Sequence, residues 1–235
     1  MMCNHVAIPD HMTLKEFLKE HEVEVPQYDT YFHANAFNHP QIPIMTSEEP
    51  HKIKTYMWGL APMWAKDKTE AQSWAKQILN ATCEKSMTTY MPYFKTKRCL
   101  VFVNGFYEWR WEDPKGKVKT HYFIYAEGRQ PFTFGGIYNG WTDYESGQVF
   151  DTFSIVTTPA NKLMEEIHNN KKRMPLIVGQ EEWGRWLDPE ADINPLLQPY
   201  PDGFLKAHTI SRNITKRGFY TNVPEIQEEF KDSLF

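Results

Sequence analysis

Cys3 is the residue of this chain whose position could give it unusual chemistry. Only methionines precede it, in Met1-Met2-Cys3, so removal of both would leave a cysteine with a free α-amine beside its thiol. Such a 1,2-aminothiol condenses with an aldehyde to a Schiff base, and its sulfur then closes a five-membered thiazolidine ring. With reference pKa values of about 7.7–8.0 for the amine and about 8.5 for the thiol, both groups are partly nucleophilic near neutrality. The alternative is a cysteine without a function in a frayed terminus.

Glu108 and His168 are candidates for proton transfer. Glu108 lies in the aromatic segment 103–109, where burial would raise the pKa of its carboxyl group towards a range that suits an acid or a base. Alternation along a strand would instead place Glu108 on the face opposite Tyr107 and Trp109 and leave it exposed. His168 follows a predicted helix, where a histidine either titrates within a site or simply supplies a favourable terminal charge.

Other residues are candidates for binding. Arg173 could bind a phosphate in bidentate fashion, and Asn80 most simply ends a helix. Trp58 and Trp64 lie in a segment with glycine and proline, where a tryptophan is either core or a stacking platform for an unpaired base. Positive residues cluster in four segments, each of which is most simply a solvated face: Lys95/Lys97/Arg98, Lys115/Lys117/Lys119, Lys171/Lys172/Arg173 and Arg212/Lys216/Arg217.

The composition narrows the class of protein. The chain has 235 residues, of which 41% are hydrophobic and 15% aromatic, so it should be globular and bury a substantial core. A net charge of −4 argues against a protein that coats duplex DNA but allows a local basic groove. The sequence has no signal-peptide pattern and no apolar run near about 18 residues, so no membrane segment is predicted. The widely spaced Cys3, Cys83 and Cys99 indicate a reducing cytoplasm rather than a disulfide framework or a zinc site.

The strands that must position these residues are predicted to form an α+β fold. Segments rich in Val, Ile, Phe and Tyr follow one another without regular intervening helices, which favours a mixed, mostly antiparallel sheet with peripheral helices. A barrel-like closure of this sheet would hide its edge strands. The predicted strands are residues 99–111, 120–126, 132–138, 150–157, 176–178 and 207–211.

Helices are predicted where capping signals occur. Thr13 and Glu16 form a capping-box pattern, and Thr158 before Pro159 predicts a helix that ends near His168. Residues 23–50 contain four prolines and should be mostly irregular. Further helices are predicted at residues 70–79 and 181–187.

Several motifs, taken in order, resemble those of one family. They are the tryptophan segment 58–67, Asn80-Ala81 with Glu84, Arg98-Cys99-Leu100 followed by Gly105–Trp109, Thr157–Asn161, His168, and Arg173-Met174-Pro175. Together they resemble the SOS-response-associated peptidase family, also called abasic-site processing proteins. The motifs lie within residues 3–178, and residues 179–235 are expected to extend the same single domain.

The resemblance implies a function and roles for four residues. Family members use an N-terminal cysteine to form a thiazolidine crosslink with the aldehyde of an abasic site in single-stranded DNA. Cys3 would be the nucleophile, and Asn80 would position it and the sugar. Glu108 would shuttle protons during ring opening and Schiff-base formation, while His168 would act as an acid or base near the sugar and in crosslink reversal. Autoproteolytic removal of preceding residues and strand cleavage by β-elimination would be side activities.

The resemblance also implies the partners. The expected partner is single-stranded DNA with abasic sites, bound by a cytoplasmic monomer during the DNA damage response, without a cofactor, a metal or a membrane. The DNA contacts are assigned to Pro40, Trp58, Trp64, Arg98, Thr157 and Arg173.

Three departures from the family pattern bear on these roles. Aminopeptidases generally spare a methionine that precedes another methionine, so Cys3 is exposed only if translation starts at Met2, if Met1 is an extra residue, or if the chain cleaves itself. Asn4-His5 stands where the family usually has Gly-Arg, so that arginine is missing or replaced by His5. Thr82 stands where the family usually has another phosphate-binding arginine. The spacer 169–172 is longer than usual, so Lys171 or Lys172 could take the role of Arg173.

Two other functions remain open from the sequence. The same fold could serve as a non-catalytic single-strand-binding module that uses Trp58, Trp64 and the basic clusters. A thiol peptidase that pairs Cys3 with His168 is the third possibility.

Overall fold

Two β-sheets are the framework of the computed structural model, which describes residues 3–230. The strands are β1 (His5–Ala7), β2 (Ala34–Asn35), β3 (Gln41–Thr46), β4 (Ile53–Trp58), β5 (Asn80–Thr82), β6 (Arg98–Val103), β7 (Gly105–Trp111), β8 (Lys119–Ala126), β9 (Phe132–Thr142), β10 (Val149–Pro159), β11 (Arg173–Pro175) and β12 (Leu205–Thr209). The α-helices are α1 (His11–Phe17), α2 (Lys68–Gln77), α3 (Met91–Thr96), α4 (Lys162–Ile167) and α5 (Trp183–Leu187). Single 3₁₀ turns occur at Lys19–His21, Ala36–Asn38, Cys83–Lys85, Gln180–Glu182, Asn194–Leu196, Arg212–Thr215 and Pro224–Gln227.

One sheet closes into a five-stranded barrel. Its strands follow the order β10-β4-β3-β6-β9, and β9 pairs again with β10 to complete the ring. The pairings are antiparallel except between β10 and β4. Closure satisfies the backbone groups that the edges of an open sheet would expose. The predicted mixed, mostly antiparallel, barrel-like α+β fold is therefore confirmed.

The other sheet lies against the barrel and shares its core. Its strand order is β12-β8-β7-β1-β2, so β7 and β1 are interior neighbours. Val6 and Phe106 from this sheet join Val101, Phe134 and Phe153 from the barrel in one buried apolar cluster. Beyond the barrel, β10 continues and pairs with β5 on one side and β11 on the other. These extensions and the β1–β7 pair hold the motifs identified in the sequence.

The predicted strand 99–111 is two strands that belong to different sheets. β6 is part of the barrel, and β7 starts after Asn104, whose backbone N–H donates to the Ala7 carbonyl. Gly105 permits this change of sheet, because a Cβ atom there would lie 2.5 Å from the Ile124 carbonyl oxygen. The sequence shows one continuous apolar run, so only the packing reveals the break.

The predicted starts of two helices are wrong. Asp10, not Thr13, caps α1, because its carboxylate accepts from the backbone N–H groups of Met12 and Thr13. In α4, Asn161 is the N-cap and accepts from Met164. Pro159 stays extended, since it ends β10 and pairs with Arg173.

Other predicted boundaries are correct within two or three residues or wrong for a clear reason. The structure contains the predicted strands that start near residues 120, 132, 150 and 207, and the predicted helices that start near residues 70 and 181. The strand predicted from residue 132, β9, is longer than expected and continues to Thr142. Residues 23–50 are mostly irregular, as predicted, and the exceptions include β2 and β3. Pro43 is tolerated where β3 pairs with β4 alone. Residues 176–178 do not form the predicted strand; of the three, only Ile177 makes a β-bridge, to Phe134.

A histidine cluster lies beneath the C-terminal segment. His5 Nδ1 is 2.8 Å from His33 Nε2, and His33 Nδ1 is 2.7 Å from the Thr221 hydroxyl. Trp109 packs between His5 and His121, with ring centres 5.2 Å and 4.5 Å away. Burial is the main cause that lowers the pKa of His5 to about 3 and those of His33 and His121 to about 4. Near neutral pH all three rings are therefore uncharged.

Acid should destabilise the fold through this cluster. An unfolded histidine takes up a proton near pH 6.5, whereas the folded His33 resists protonation down to about pH 4, so stability present above pH 6.5 is lost as the pH falls through that window. When urea unfolding is repeated at several pH values, the unfolding free energy can be plotted against pH. His33→Asn should reduce the slope of this plot by up to ~1.4 kcal/mol per pH unit. His51→Asn, at an exposed position, is the matched control. An unchanged slope in His33→Asn would contradict the assignment.

Candidate active site

The pairing of β1 with β7 brings Cys3 to Glu108. Val6 lies opposite Phe106 in this antiparallel pair, so the same register continued towards the N-terminus places Asn4 opposite Glu108 and Cys3 next to it. The backbone N–H of Cys3 donates to Glu108 Oε1 over 2.7 Å. Both residues are buried. Met1 and Met2, whose removal the predicted chemistry requires, lie outside the described residues.

Glu108 is a buried carboxyl, so the alternative of an exposed strand residue is wrong. Alternation does separate it from its neighbours, since Tyr107 packs against Phe123 and Trp109 against His121 on the opposite face. The face that carries Tyr107 is itself covered by packed side chains, so neither face of β7 is open to solvent at this point. The side chain of Glu108 is turned towards Cys3. Burial raises the pKa of Glu108, while His168 and the Cys3 N–H oppose the shift. A carboxyl group with a raised pKa beside a reactive nitrogen is suited to proton transfer.

His168 completes a line of polar groups with Glu108. It is the C-cap residue of α4, its side chain is buried, and Nε2 lies 4.0 Å from Glu108 Oε2. Nδ1 lies 3.0 Å from the Arg173 carbonyl oxygen, which can only accept a hydrogen bond. The Arg173 backbone nitrogen lies 3.4 Å from the same ring nitrogen, so the Arg173 backbone engages Nδ1 while Nε2 faces the carboxyl group of Glu108.

Burial also affects the Cys3 thiol. Desolvation, and then the nearby Glu108, raise the pKa of this thiol well above its usual value. The thiol group is therefore held in its protonated form. A base is needed before its sulfur can act as a strong nucleophile.

Asn80 reaches the site through Asn4. It does not end a helix: it begins β5, opposite Ile155 of β10. Its side-chain amide donates to Asn4 Oδ1 over 2.6 Å. Asn80 is thereby tied to the residue that follows Cys3.

Arg173 and Thr157 lie next to this group. The Arg173 guanidinium forms a bidentate ion pair with Glu84 and donates to the Thr157 carbonyl over 2.7 Å. The Arg173 side chain is 15% exposed, and Thr157 is fully buried. The arginine is thus preorganised at the surface, with one carboxylate already bound to it.

Two predicted DNA contacts, Arg98 and Trp58, are not placed to touch DNA. Arg98 is 2% exposed, and its guanidinium donates to backbone carbonyls at the ends of α3 and α5. These acceptors already occupy its guanidinium, so Arg98 stabilises helix ends instead of holding a phosphate. Trp58 is fully buried, with Nε1 donating to the Leu79 carbonyl over 2.9 Å, and it belongs to the core.

Trp64 and Pro40 lie at the surface. Trp64 is 42% exposed, and its ring lies edge-on to that of Tyr93, with 6.2 Å between the ring centres. The indole ring therefore stays accessible for stacking. Pro40 is half-buried, and its carbonyl accepts from the Trp58 N–H.

The departures from the family pattern have structural outcomes. His5 is turned towards His33 and Trp109 and is uncharged, so it does not replace an arginine as a phosphate contact. Thr82 is a half-buried, uncharged residue of β5. Lys171 and Lys172 are both exposed.

Asn169 is a positioning residue that the sequence gave no reason to select. Its side-chain oxygen accepts from the Trp111 N–H over 3.0 Å, and its side-chain nitrogen donates to the Trp111 carbonyl over 2.9 Å. It thus fastens the turn after His168 to the end of the strand that carries Glu108. Its partner is 58 residues away in the chain, so no local signal could reveal the contact. Asn4 was missed for the same reason.

Among residues 3–230, no group of three or more His, Cys, Asp or Glu side chains is arranged to hold a metal ion. In the same part of the chain, no helix has the length and apolar character needed to cross a membrane.

Comparisons with known proteins agree on one family. A family model described as SOS response associated peptidase (SRAP) matches residues 2–217. A Bacillus subtilis protein named abasic site processing protein YoqW is 30% identical over 227 residues, which cover 94% of this chain and 93% of that protein. The abasic site processing protein HMCES of Gallus gallus is 31% identical over 60% of this chain and 48% of its own length. A solved structure from Bacteroides thetaiotaomicron superposes with a TM-score of 0.86 at 30% identity, covering 97% of this chain and all of the other.

Loss of the Asn169 clamp should loosen the site locally. Asn169→Ala removes two hydrogen bonds at an exposed position, so a loss of ~1 kcal/mol in the free energy of unfolding is expected. Hydrogen exchange at the Trp111 amide should become faster, because its N–H loses its acceptor. Asn170→Ala is the matched control. An equal exchange rate at the Trp111 amide in the two variants would contradict the positioning role of Asn169.

Proposed function

This chain belongs to the SOS response associated peptidase (SRAP) family, and we propose that it processes abasic sites in single-stranded DNA through a covalent crosslink to Cys3. Relatives in this family are named abasic site processing proteins, and the proposal extends that activity to this chain. It would act as a single domain of residues 1–235, a cytoplasmic monomer of the DNA damage response.

The contact between the Cys3 nitrogen and Glu108 supports this proposal most directly. Once Met1 and Met2 are removed, the atom that now donates to Glu108 Oε1 over 2.7 Å becomes the α-amine of the aminothiol. A nucleophilic amine is useful here only if a group beside it accepts and returns protons. Glu108, buried and with a raised pKa, is such a group.

The proposed reaction proceeds in two steps. The Cys3 amine attacks the C1′ aldehyde of the ring-opened sugar, and the resulting carbinolamine loses water, with Glu108 donating the proton to the leaving hydroxyl. The thiol, whose raised pKa keeps it protonated, adds second: Sγ bonds to C1′ of the protonated Schiff base, the C=N electron pair moves to the nitrogen, and the thiol proton returns to the Glu108 carboxylate. The product is a thiazolidine, and one water molecule is released. Ring closure consumes the Schiff base that β-elimination would need, so lyase activity is a side reaction.

The surrounding residues would orient this chemistry. His168 Nε2, 4.0 Å from Glu108 Oε2, would exchange protons with that carboxyl group and with the sugar, also during reversal. Asn80, fixed by Asn4, would hold the sugar beside Cys3. Stacking on Trp64 and Pro40 and a contact to Arg173 would bind the strand, while the buried Thr157 would orient the Arg173 guanidinium and not touch the DNA. Arg173 would then share its guanidinium between Glu84 and a phosphate.

A thiol peptidase fits the geometry less well. In such an enzyme His168 would contact the Cys3 sulfur, whereas the observed line runs from the Cys3 nitrogen through Glu108 to His168. Self-removal of Met1 and Met2 is compatible with the proposal as a maturation step.

Crosslinking should require Cys3 with a free amine. Protein that starts at Cys3, checked by intact mass, should form a heat-stable adduct on a denaturing gel with a single-stranded oligonucleotide whose uracil has been excised. Cys3→Ala should form none, and protein that retains Met1-Met2 should form none, because its Cys3 nitrogen is an amide. The proposal would be contradicted if Cys3→Ala gave the same yield of adduct as the wild type, or if the mature wild type gave no adduct. Salt-dependent binding without an adduct would favour the single-strand-binding module instead.

Glu108 should determine the rate of adduct formation and not the affinity for DNA. Glu108→Gln keeps an oxygen that accepts from Cys3 but cannot shuttle a proton, so the single-turnover rate of adduct formation should fall by ~10²–10⁴-fold. The dissociation constant for an undamaged oligonucleotide should stay the same. Glu127→Gln, at an exposed position, is the control. A wild-type rate in Glu108→Gln would remove Glu108 from the mechanism.

A further inference from the structure

We propose that Glu84 limits the affinity of this protein for undamaged single-stranded DNA by competing with a backbone phosphate for the Arg173 guanidinium. The proposal rests on the proposed function, in which Arg173 contacts the strand. Glu84 would weaken this reversible contact, so that stable retention on DNA comes from the covalent bond to Cys3.

Glu84 occupies the edge of the guanidinium that an incoming phosphate needs. Its carboxylate accepts from both Nη1 and Nη2 of Arg173, over 2.9 Å in the case of Nη2. Nη2 also donates to the Thr157 carbonyl over 2.7 Å. Among residues 3–230, Nε of Arg173 is a buried atom without a hydrogen-bond partner, so a phosphate does not reach it from solvent. A phosphate can therefore approach only on the Nη1 side, and Glu84 then has to give up one of its two bonds.

The carboxylate, and not the guanidinium, is the partner that can move. The Arg173 side chain is 15% exposed, whereas that of Glu84 is 52% exposed. The buried Thr157 holds Nη2 through both its carbonyl and its hydroxyl, so the position of the guanidinium does not depend on Glu84 alone. Glu84 lies in the single 3₁₀ turn Cys83–Lys85, from which its side chain can rotate into solvent.

Glu84 competes as an anion. The hydrogen bond to Arg173 is the main cause that lowers the pKa of Glu84, so the carboxyl group is ionised near neutral pH. A strand phosphate must replace a bond between opposite charges, and it then lies close to the displaced carboxylate. Both effects oppose the binding of the strand.

The ion pair lies beside the site where the covalent bond would form. The Arg173 carbonyl oxygen lies 3.0 Å from His168 Nδ1, and the guanidinium of the same residue carries Glu84. An undamaged strand has no aldehyde and would be held by reversible contacts alone. A strand with an abasic site would be retained by its bond to Cys3. A weakened phosphate contact therefore favours the release of undamaged DNA without loss of the captured strand.

Fluorescence anisotropy with an undamaged single-stranded oligonucleotide measures the reversible affinity. Glu84→Gln keeps the shape of the side chain but removes its charge. Its dissociation constant should fall by about 2- to 5-fold at low salt, the range that a partly exposed ion pair allows. The slope of log K against log[salt] should become steeper by up to about 0.7, because one more phosphate is neutralised. Glu166→Gln, at an exposed position of α4, is the charge-matched control and should bind like the wild type.

The gain in affinity should depend on Arg173, because Glu84 acts through it. In a double-mutant cycle, Glu84→Gln should give no gain when Arg173→Gln is also present. An equal or weaker affinity of Glu84→Gln alone would contradict the competition and leave Glu84 as a residue that holds Arg173 in place. A gain that persists without Arg173 would also contradict it, since the effect would then come from net charge.

Adduct formation separates this inference from the proposed function. At saturating abasic oligonucleotide, mature Glu84→Gln should crosslink at the wild-type rate, because Cys3, Glu108 and His168 are unchanged; a slower rate would contradict a role in binding alone. Undamaged competitor should inhibit the variant at a lower concentration than the wild type. Tighter, Arg173-dependent binding by Glu84→Gln, with no adduct in the wild type, would support the competition and refute the crosslink. An adduct in the wild type, with unchanged affinity in Glu84→Gln, would refute the competition and leave the crosslink standing.

Discussion

The antiparallel pairing of β1 with β7 is the constraint on which the site depends. It fixes the Cys3 backbone nitrogen 2.7 Å from Glu108 Oε1, although the two residues are 105 positions apart. A slip of one residue in this register would turn the opposite faces of the strands together and carry the carboxyl group away. The register is held by burial, because Val6 and Phe106 both point into the shared core.

Burial of Glu108 destabilises its charged form, and the neighbouring groups offset this effect only in part. The Cys3 N–H donates to one carboxylate oxygen, and His168 lies 4.0 Å from the other. Under these conditions the pKa of the carboxyl group lies above that of an exposed glutamate. The next contacts outward, from His168 to Arg173 and from Arg173 to Glu84, connect this buried pair to the surface where DNA would bind.

Residues of one type have different roles because their surroundings differ. Arg98 and Arg173 both belong to motifs of the family, but carbonyls enclose the first and the second sits at the surface beside the site. Trp58 and Trp64 are six positions apart in one segment, yet Trp58 packs inside the barrel and Trp64 is 42% exposed. The sequence could not separate the members of these pairs, because each contact that decides the matter comes from a distant element.

The sequence by itself determined the class of fold, most of the strands and the candidate residues of the site. It could do so because alternation, turn residues and motif order are local properties of the chain. The tertiary structure decided that the apolar run 99–111 divides between two sheets, that Glu108 is buried, and that Asn4 and Asn169 hold the site together. These are consequences of strand register and of side-chain hydrogen bonds between distant residues, and neither leaves a periodic trace in a single sequence.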